Sequence, residues 1–519
     1  MRKPLLLLIA CFMAVVPVLS ETLAVPPSNF YEHNAGSEEN PFLIANLRNL
    51  RWLSETENIW GHGYTTDVDE KNWIVEKKYH FIQIADIDAT ETIHWNDGKG
   101  FRPIGLLEIN YYSFPNVIIK KKPFFGYYNG NYHSIKGLYI NSATDKYISN
   151  NAGFFGFIVQ SNILNIRLDH ADITGNSSIG SIVAQAYHSI IRYCSSNGYV
   201  TGVNYDIYPP EDNDDIMPIV IPNLNIGGLI GLSYSSEIEF CYVQTNIKAK
   251  HDNLYIAHVI SMVGGLVAIK IKGSLKNSFF YGDIDNFYNA STCAGISSEA
   301  IQTEIRNVYV TSRNRFANHS SGLVNFIVSS EIRNCFWDTD ATGIHIPFGY
   351  PLIGENLLIN NYGMSTDLLK IISTFENNGW DFENVWKMDS EVNDGYPFLR
   401  NILEPITSTI DDTIYPLIQS FVSPNPVRGG EVEIRWQINS KLPKTAYVVC
   451  ETAIRIYNVR GQLIRASNVS QTKNGNNIFV WDRRDISNLE VPSGLYFYRI
   501  SSAQNENQSD IMGRFVIIK

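Results

Sequence analysis

The chain has 519 residues, of which 18% are charged and 12% aromatic, and its formal net charge is −11. This length predicts two to four domains and a sizeable core, which excludes a small disulfide-stapled scaffold and a largely disordered chain. The negative charge repels phosphate backbones and no basic stripe offsets it, so nucleic acid is excluded as a partner.

Residues 1–20 have the pattern of a secretory signal peptide. Basic Arg2 and Lys3 precede an apolar run over 5–16, and small Ser20 provides the favoured cleavage point, with a site near Ala24 as the alternative. Cleavage there removes two positive charges, which changes the formal charge from −11 to −13.

A lipoprotein signal that ends at Cys11 is the alternative reading of this segment. No other run reaches the roughly 18 apolar residues that a membrane helix needs. We therefore expect an exported protein without a transmembrane segment.

Residues 21–145 are predicted to form an N-terminal cap and the first coils of a β-helix. Leu47, Leu50 and Leu53 recur at helical spacing, which predicts an amphipathic helix over the first coil. Such a helix protects an otherwise exposed sheet edge. Alternating strand segments follow between residues 79 and 140.

A repeat dominates residues 146–343. A glycine before an apolar pair recurs at Gly153, Gly180, Gly228, Gly265, Gly295 and Gly322. Ten residues after each glycine stands an aliphatic residue, namely Ile163, Ile190, Ile238, Leu275, Ile305 and Ile332. The distance from one copy to the next varies, which is typical of stacked coils that accept insertions only where the chain leaves the stack.

The positions after the aliphatic residue describe one corner of a coil. Two residues on, four copies carry asparagine: Asn165, Asn277, Asn307 and Asn334. Asparagine tolerates the left-handed turn conformation, and stacked asparagines can hydrogen-bond along the stack. The next position holds Ile166, Tyr193, Cys241, Ser278, Val308 and Cys335, which predicts an inward-facing column.

Five cysteines remain after signal cleavage, at positions 194, 241, 293, 335 and 450. Their odd number and the absence of CxxC spacing argue against a disulfide framework or a zinc site. Cys194 and Cys241 fall on neighbouring coils and are the candidate pair if a disulfide forms, but buried free thiols are the favoured prediction.

Three acidic groups are candidate sites. The loop with Glu211, Asp212, Asp214 and Asp215 offers oxygen ligands for calcium, but it lacks the glycine-punctuated spacing of a calcium loop, and a solvated insertion is favoured. Asp338 and Asp340 alternate and form a candidate acid/base pair. Asp86 and Asp88 form a second pair, for which a structural role in a strand-end turn is favoured. From these patterns we predict no catalytic, cofactor-binding or metal-binding residue.

Four aromatic residues, Tyr242, Phe279, Tyr309 and Trp337, are candidates for stacking on sugar rings if they are exposed. Their matching offsets in the repeat favour a packed ladder instead.

The remainder divides into three segments. Residues 344–401 are predicted to cap the C-terminal end of the β-helix, and 402–418 form a linker. Strand segments with turn residues at regular spacing follow in 419–519, which predicts a β-sandwich of about seven strands. The predicted fold class is therefore all-β: a right-handed parallel β-helix with an N-terminal helical cap, followed by an Ig-like β-sandwich.

The repeat resembles the GLUG motif of exported bacterial proteins, through segments such as "GGLIGLSYSSEIEFCYVQTN" and "GGLVAIKIKGSLKNSFFYGDI". Copy two departs from the motif at Ser181 and Arg192. The C-terminal segments "SPNP", "IYNVRGQ", "WDRRD" and "PSGLYFYRI" are similar to the Ig-like domain of the flagellar hook-capping family and to the type A sorting domain of the type IX secretion system. The resemblance implies export through the outer membrane, with the secretion machinery or cell envelope as a partner.

Two functions remain open on these grounds. The first is a non-catalytic adhesion, binding or structural scaffold outside the cell, whose ligands would include polysaccharides or neighbouring surfaces. The second is a polysaccharide lyase or hydrolase on the β-helix. A peptidase would need a domain that this sequence does not show, because it contains no HExxH or GxSxG motif. Function is expected in the variable loops, above all 203–224.

Overall fold

The computed structural model describes residues 22–65, 72–110, 118–145, 148–205, 224–251, 261–286, 292–312, 320–349, 352–400, 418–423, 430–438, 451–458, 462–470, 476–502 and 511–518. The chain divides into two compact units, Met1–Thr407 and Ser408–Lys519. The predicted signal peptide, the acidic loop at 211–215, Cys450 and all but the last residue of the linker 402–418 lie outside the described residues.

The first unit is a stack of parallel strands, in which each coil contributes one strand to each of several ladders. The central ladder carries the aliphatic residue of the repeat. Its strands are Phe42–Ile44, His80–Gln83, Tyr127–Asn129, Asn162–Leu164, Ile190–Arg192, Ile230–Glu239, Val267–Tyr281, Glu304–Thr311, Glu331–Arg333 and Leu357–Ile359.

Two further ladders flank the central one. The glycine ladder follows the repeat glycine and consists of Phe155–Val159, Val183–Tyr187, Ser297–Ile301, Val324–Val328 and Leu352–Ile353, together with the first parts of Ile230–Glu239 and Val267–Tyr281. The aromatic ladder consists of Ile87–Asp88, Ser134–Lys136, Arg167–Gly175, Ser195–Asn204, Tyr242–His251, Phe336–Asp338 and Tyr362–Met364, with parts of Val267–Tyr281 and Glu304–Thr311. Tyr139–Asn141 and Ile284–Asn286 extend it.

A parallel sheet beside these ladders precedes each repeat glycine. It contains Ser178–Gly180, Leu224–Gly227, Ser261–Gly264, Thr292–Ala294 and Ser320–Ser321. Smaller antiparallel pairings join Leu106–Asn110 to Ile118–Lys122 and Ile148–Asn150, His62–Thr65 to Trp73–Lys77, and Trp386–Lys387 to Phe398–Leu399. The predicted all-β chain with a long parallel sheet is confirmed, and the first unit is β-helix-like.

The helices are short and lie mostly outside the repeat. The α-helices are Leu47–Glu55, Thr339–Thr342, Thr366–Leu369 and Ile372–Glu376, and the 3-10 turns are Glu57–Ile59, Thr90–His94, Asn96–Gly98 and Asn393–Gly395. None of the helices in the described part of the chain has the length and apolar character that crossing a bilayer requires.

The predicted amphipathic helix is present as Leu47–Glu55 and seals the first strand of the stack. The Asn46 side chain accepts the N–H of Asn49 and so caps the helix N-terminus. Leu50 and Leu53 are fully buried in the same apolar core as strand Phe42–Ile44. The apolar face of this helix thus occupies the place where a further coil would pack.

The second copy of the repeat is out of register with the sequence prediction by one residue. Ile163 pairs with Ile191 rather than Ile190, and Ile191 is buried whereas Ile190 is half-buried. Counting back ten residues gives Ser181, not Gly180, as the equivalent of the repeat glycines. Because side chains alternate along a strand, a slip of one residue exchanges the two faces. The prediction of Gly180, Ile190 and Tyr193 at these three repeat positions was therefore wrong.

The repeat glycines stand where neighbouring coils approach closely. A Cβ added at Gly228 would lie 2.2 Å from the carbonyl oxygen of Gly265, and one at Gly265 would lie 2.1 Å from that of Gly295. Such distances leave no room for a side chain, so glycine is required by packing along the stack.

The asparagine corner is confirmed and extends beyond the predicted copies. Asn307 donates to the Asn277 side-chain oxygen at 3.2 Å, and Asn334 donates to Asn307 at 3.4 Å. Seven stacked residues at this corner have a left-handed backbone: Asn165, Tyr193, Phe240, Asn277, Asn307, Asn334 and Asn360. Tyr193 and Phe240 adopt it at a cost, since non-glycine residues other than asparagine and aspartate seldom do. Their rings stack at 4.9 Å.

The second unit contains two antiparallel sheets. One has strands Ile418–Ser423, Val432–Ile438 and Asn476–Trp481. The other has strands Leu463–Ser470, Glu451–Asn458, Gly494–Ser502 and Ile511–Ile517 in that spatial order. Side chains from both sheets, including Ile434, Ile456, Trp481 and Phe515, form a single buried core.

Candidate functional site

The aromatic residues that were candidates for sugar stacking are buried. Phe279 lies between Tyr242 and Tyr309, with ring centroids 5.0 and 4.9 Å away and planes within 10° of parallel. The pairing of Tyr309 with Phe336 makes Phe336, not Trp337, the next member of this column. Trp337 faces the interior of the stack instead. The prediction was wrong for Trp337 by one residue, which reverses the face of the strand.

Segment 365–400 covers the column and excludes water from it. Its apolar side chains, among them Phe375, Trp380 and Trp386, form one buried cluster with Phe279, Tyr309 and Phe336. The sequence predicts that residues 344–401 cap the C-terminal end of the β-helix; within this range, segment 365–400 packs along the side of the stack.

Polar atoms of the covering segment are matched to the column. The Tyr309 hydroxyl donates to the Pro397 carbonyl oxygen at 2.7 Å and accepts from the Asn393 side chain at 2.7 Å. The Trp380 indole N–H donates to the Asn334 carbonyl oxygen at 2.9 Å. Burial raises the pKa of Tyr309 well above its usual value. These rings are therefore unavailable to a ligand while the segment is in place.

The carboxylates of Asp338 and Asp340 do not form an acid/base pair across a groove. Asp338 is fully buried and caps helix Thr339–Thr342 by accepting the N–H groups of Asp340 and Ala341 at 3.0 and 2.8 Å. It also accepts from the Thr366 hydroxyl at 2.8 Å and the Tyr396 hydroxyl at 2.6 Å. Asp340 is exposed and accepts the N–H of Thr366. Both carboxylates thus hold segment 365–400 on the stack.

Asp86 and Asp88 are likewise engaged in local hydrogen bonds. Asp86 accepts from the His133 ring at 3.3 Å and from the N–H of Ser134 at 2.7 Å, and these hydrogen bonds lower the pKa of Asp86 to about 2. Asp88 accepts from the hydroxyl and the N–H of Thr90 at 2.7 and 3.0 Å, which lowers its pKa. These contacts are those of turns that end strands.

A buried lysine was not anticipated from the sequence. Lys270 occupies an inward position of the glycine ladder, between Ser233 and Ala300 on the adjacent coils. Its ammonium group donates to the carbonyl oxygens of Ser236, at 2.9 Å, and Lys272. Burial lowers the pKa of Lys270 to about 7. The aligned repeat copies did contain a sign of this burial, because the small residues Ser233 and Ala300 occupy the equivalent positions on the neighbouring coils.

The described cysteines are free thiols in the interior. Cys194, Cys241, Cys293 and Cys335 are all buried and unbridged. Burial raises the pKa of the Cys194 thiol well above its usual value, so it is not a reactive thiolate.

Metal-binding geometry was sought over the described ranges, which exclude the acidic loop at 211–215. Within those ranges no three His, Cys, Asp or Glu side chains come together in a way that could hold a metal ion.

Sequence motifs of the second unit occupy its turns and core. In "IYNVRGQ", Asn458 and Gln462 are joined by reciprocal hydrogen bonds where one strand ends and the next begins. In "WDRRD", the Trp481 indole donates to the Arg484 carbonyl oxygen at 2.9 Å, and Asp485 accepts the N–H groups of Ser487 and Leu489. The motifs therefore fix the geometry of the strand connections.

Comparison with protein families identifies the C-terminal unit. Residues 422–516 match the family model "Secretion system C-terminal sorting domain". A domain of this kind implies an interaction with the type IX secretion system. The chain is a secreted or cell-surface protein.

Two curated proteins are similar to the chain. A protein of Evansella cellulosilytica described as a Gly-rich membrane protein is 24% identical over 478 residues, which cover 78% of this chain and 49% of that protein. Halomucin of Haloquadratum walsbyi is 26% identical over 168 residues, or 32% of this chain and 2% of halomucin. The chain thus spans about half the length of the first relative and a small fraction of the second.

Among solved structures, dimeric latent PorU from Porphyromonas gingivalis aligns with 24% of this chain and 10% of its own, at 18% identity and a TM-score of 0.19. This likeness is too low to carry an argument about fold or function.

Proposed function

We propose that the first unit is a non-catalytic binding or structural scaffold outside the cell, delivered there by the C-terminal domain. The main support for this proposal is that, in the described residues, the candidate sugar-stacking rings and the candidate catalytic carboxylate are buried. The aromatic column is sealed under segment 365–400, and Asp338 is committed to four hydrogen bonds. A glycosidase needs two carboxylates on either side of an accessible groove, and this pair lacks that arrangement.

The proposal extends to the fold of each unit. We infer that the first unit is a right-handed β-helix of GLUG-motif coils. Its support is the close approach at the repeat glycines and the asparagine corner. We infer that residues 419–519 form an Ig-like sandwich that acts as the sorting domain, after a linker at 402–418. The two antiparallel sheets with a common core support this assignment.

Export tests the role of the C-terminal domain. Deletion of residues 419–519 should leave the protein in the periplasm of a host that has a type IX secretion system. As the matched control, residues 402–519 placed after a signal peptide and a periplasmic reporter should carry the reporter to the cell surface or medium. Normal surface delivery of the truncated protein would refute the sorting role.

Polysaccharide binding and turnover separate the scaffold from the alternative, a carbohydrate-active enzyme. The mature protein is applied to a glycan array, and the same polysaccharides are incubated with it and analysed for new reducing ends or unsaturated products. We expect binding without turnover. Turnover that Asp338→Asn abolishes and Asp340→Asn does not would overturn the scaffold proposal and assign the chemistry to Asp338.

A further inference from the structure

The two ends of the stack in the first unit differ in how they meet solvent. At the N-terminal end, Phe42 and Ile44 of the first strand are 3% and 0% exposed, because helix Leu47–Glu55 packs over them. The last coil, 352–364, is more exposed. Five of its large apolar residues are each 37–47% exposed, namely Leu352, Ile353, Leu357, Ile359 and Tyr362.

The outward positions of the central ladder change character at this last coil. In the two preceding rungs they hold Glu304 with Arg306 and Glu331 with Arg333, and in the last rung they hold Leu357 and Ile359. The charged rungs form ion pairs along the stack, such as Lys276 with Glu304 at 2.7 Å. The outward positions of the two preceding rungs are thus charged, whereas the same positions in the last rung are apolar.

The chain does not use its next residues to close this end. Segment 365–400 leaves the last coil and packs back along the aromatic column, against Tyr309 and Phe336. The last coil also lacks the usual protection of a sheet edge, since residues 352–364 contain no lysine or proline and only one charge, at Glu355.

We propose that this last coil, which we call the terminal rung (352–364), is an interface with a second copy of the chain, joined end to end about a two-fold axis. Two-fold symmetry brings identical ends face to face, so that the strands that meet run antiparallel and their free backbone groups can pair. A nearly neutral apolar surface is complementary to itself. Head-to-tail stacking is not open to the chain because the first strand is sealed, so the assembly closes as a dimer.

The exposed apolar side chains of the terminal rung supply about half of the area that such an interface needs. Five large apolar side chains that are each a third to a half exposed contribute on the order of 400 Å² per copy, and the strand backbone and polar residues between them add to it. Stable interfaces bury roughly 800 Å² per partner.

A double substitution tests the interface without introducing residues foreign to the stack. Leu357→Glu with Ile359→Lys gives the terminal rung the charge pattern of the rung Glu331–Arg333 below it. The matched control is Ile74→Lys, which adds a charge at an exposed apolar residue of strand Trp73–Lys77. The mass of the full mature protein and of both variants is measured by sedimentation equilibrium from about 1 to 100 µM, with thermal unfolding as the check on folding.

We expect a dimer for the unsubstituted protein and for Ile74→Lys. For the double variant we expect the dimer to be at least tenfold weaker, with an unchanged midpoint of thermal unfolding. A monomer across the whole concentration range for the unsubstituted protein would overturn it. A dimer that the folded double variant retains would overturn it as well, because the contact would then lie elsewhere.

Discussion

Gly265 shows how little space separates neighbouring coils. A methyl group there would lie 2.1 Å from the Gly295 carbonyl oxygen and 2.7 Å from the Phe280 ring. We expect Gly265→Ala to lower the free energy of unfolding by about 2 kcal/mol or more, because the coils must separate or the ring must move. Chemical denaturation followed by circular dichroism measures the effect.

Ser181 supplies the control for that substitution. It occupies the equivalent position of the second copy, already carries a Cβ, and its buried hydroxyl has no hydrogen-bond partner. Ser181→Ala should therefore be neutral or slightly stabilising. An equal loss of stability in both variants would contradict the packing explanation.

Lys270 makes stability depend on pH. Burial lowers its pKa to about 7 in the folded state, against a usual value near 10.5 in the unfolded chain. Between these values the unfolded state binds more protons, so the contribution of Lys270 to stability rises with pH from 7 to 10.5. The total change is on the order of 5 kcal/mol.

Lys270→Met should remove this dependence while keeping the volume of the side chain. We expect the stability of the variant relative to the unsubstituted protein to be greatest at pH 6–7 and to fall steadily towards pH 10. Urea denaturation of both proteins at several pH values gives the difference. Parallel stability curves over that range would show that Lys270 is charged in the folded state.

The covering segment 365–400 depends mainly on the buried carboxylate of Asp338. Asp338→Ala removes the acceptor of four donors at once, so we expect a loss of about 3–5 kcal/mol and release of the segment. Asp340→Ala, which affects an exposed side chain, should cost less than about 1 kcal/mol. Limited proteolysis of residues 365–400 reports release, and equal cleavage of the two variants would contradict the assigned role of Asp338.

The elements of the repeat were predictable because their signals are local. Three features follow from residues that lie close together in sequence: the ten-residue spacing, the asparagine corner and the helix Leu47–Glu55. The register was less secure: Ser181 in place of glycine shifted the second copy, and counting one residue too far exchanged Phe336 for Trp337. Both errors arise because only one position per copy anchors the alignment.

The contacts of the covering segment could not be predicted in this way. Asn393 meets Tyr309 across 84 residues, and no periodic pattern connects the two. The candidate site depended on that contact, since exposed aromatic rings and a free Asp338 would have favoured sugar chemistry. Long-range packing therefore decided the functional interpretation.

The C-terminal sorting domain and the β-helix-like part of the chain form separate compact units. The strands of the second unit are antiparallel and pair within it, and those of the first form their own parallel ladders. This arrangement suits a protein whose C-terminal part is read by an export machinery while the rest serves elsewhere.

Insertions in the repeat enter at a single corner of the stack. The chain leaves the ladders after strands that end at Asn204, His251, Asn286 and Thr311, and it returns each time at the sheet before the repeat glycine. Closing a longer loop costs little extra free energy, so lengths can change there while the coils keep their register. One edge of the molecule can therefore diversify by insertion, deletion or exchange of segments during evolution, and the frame that holds them is inherited unchanged.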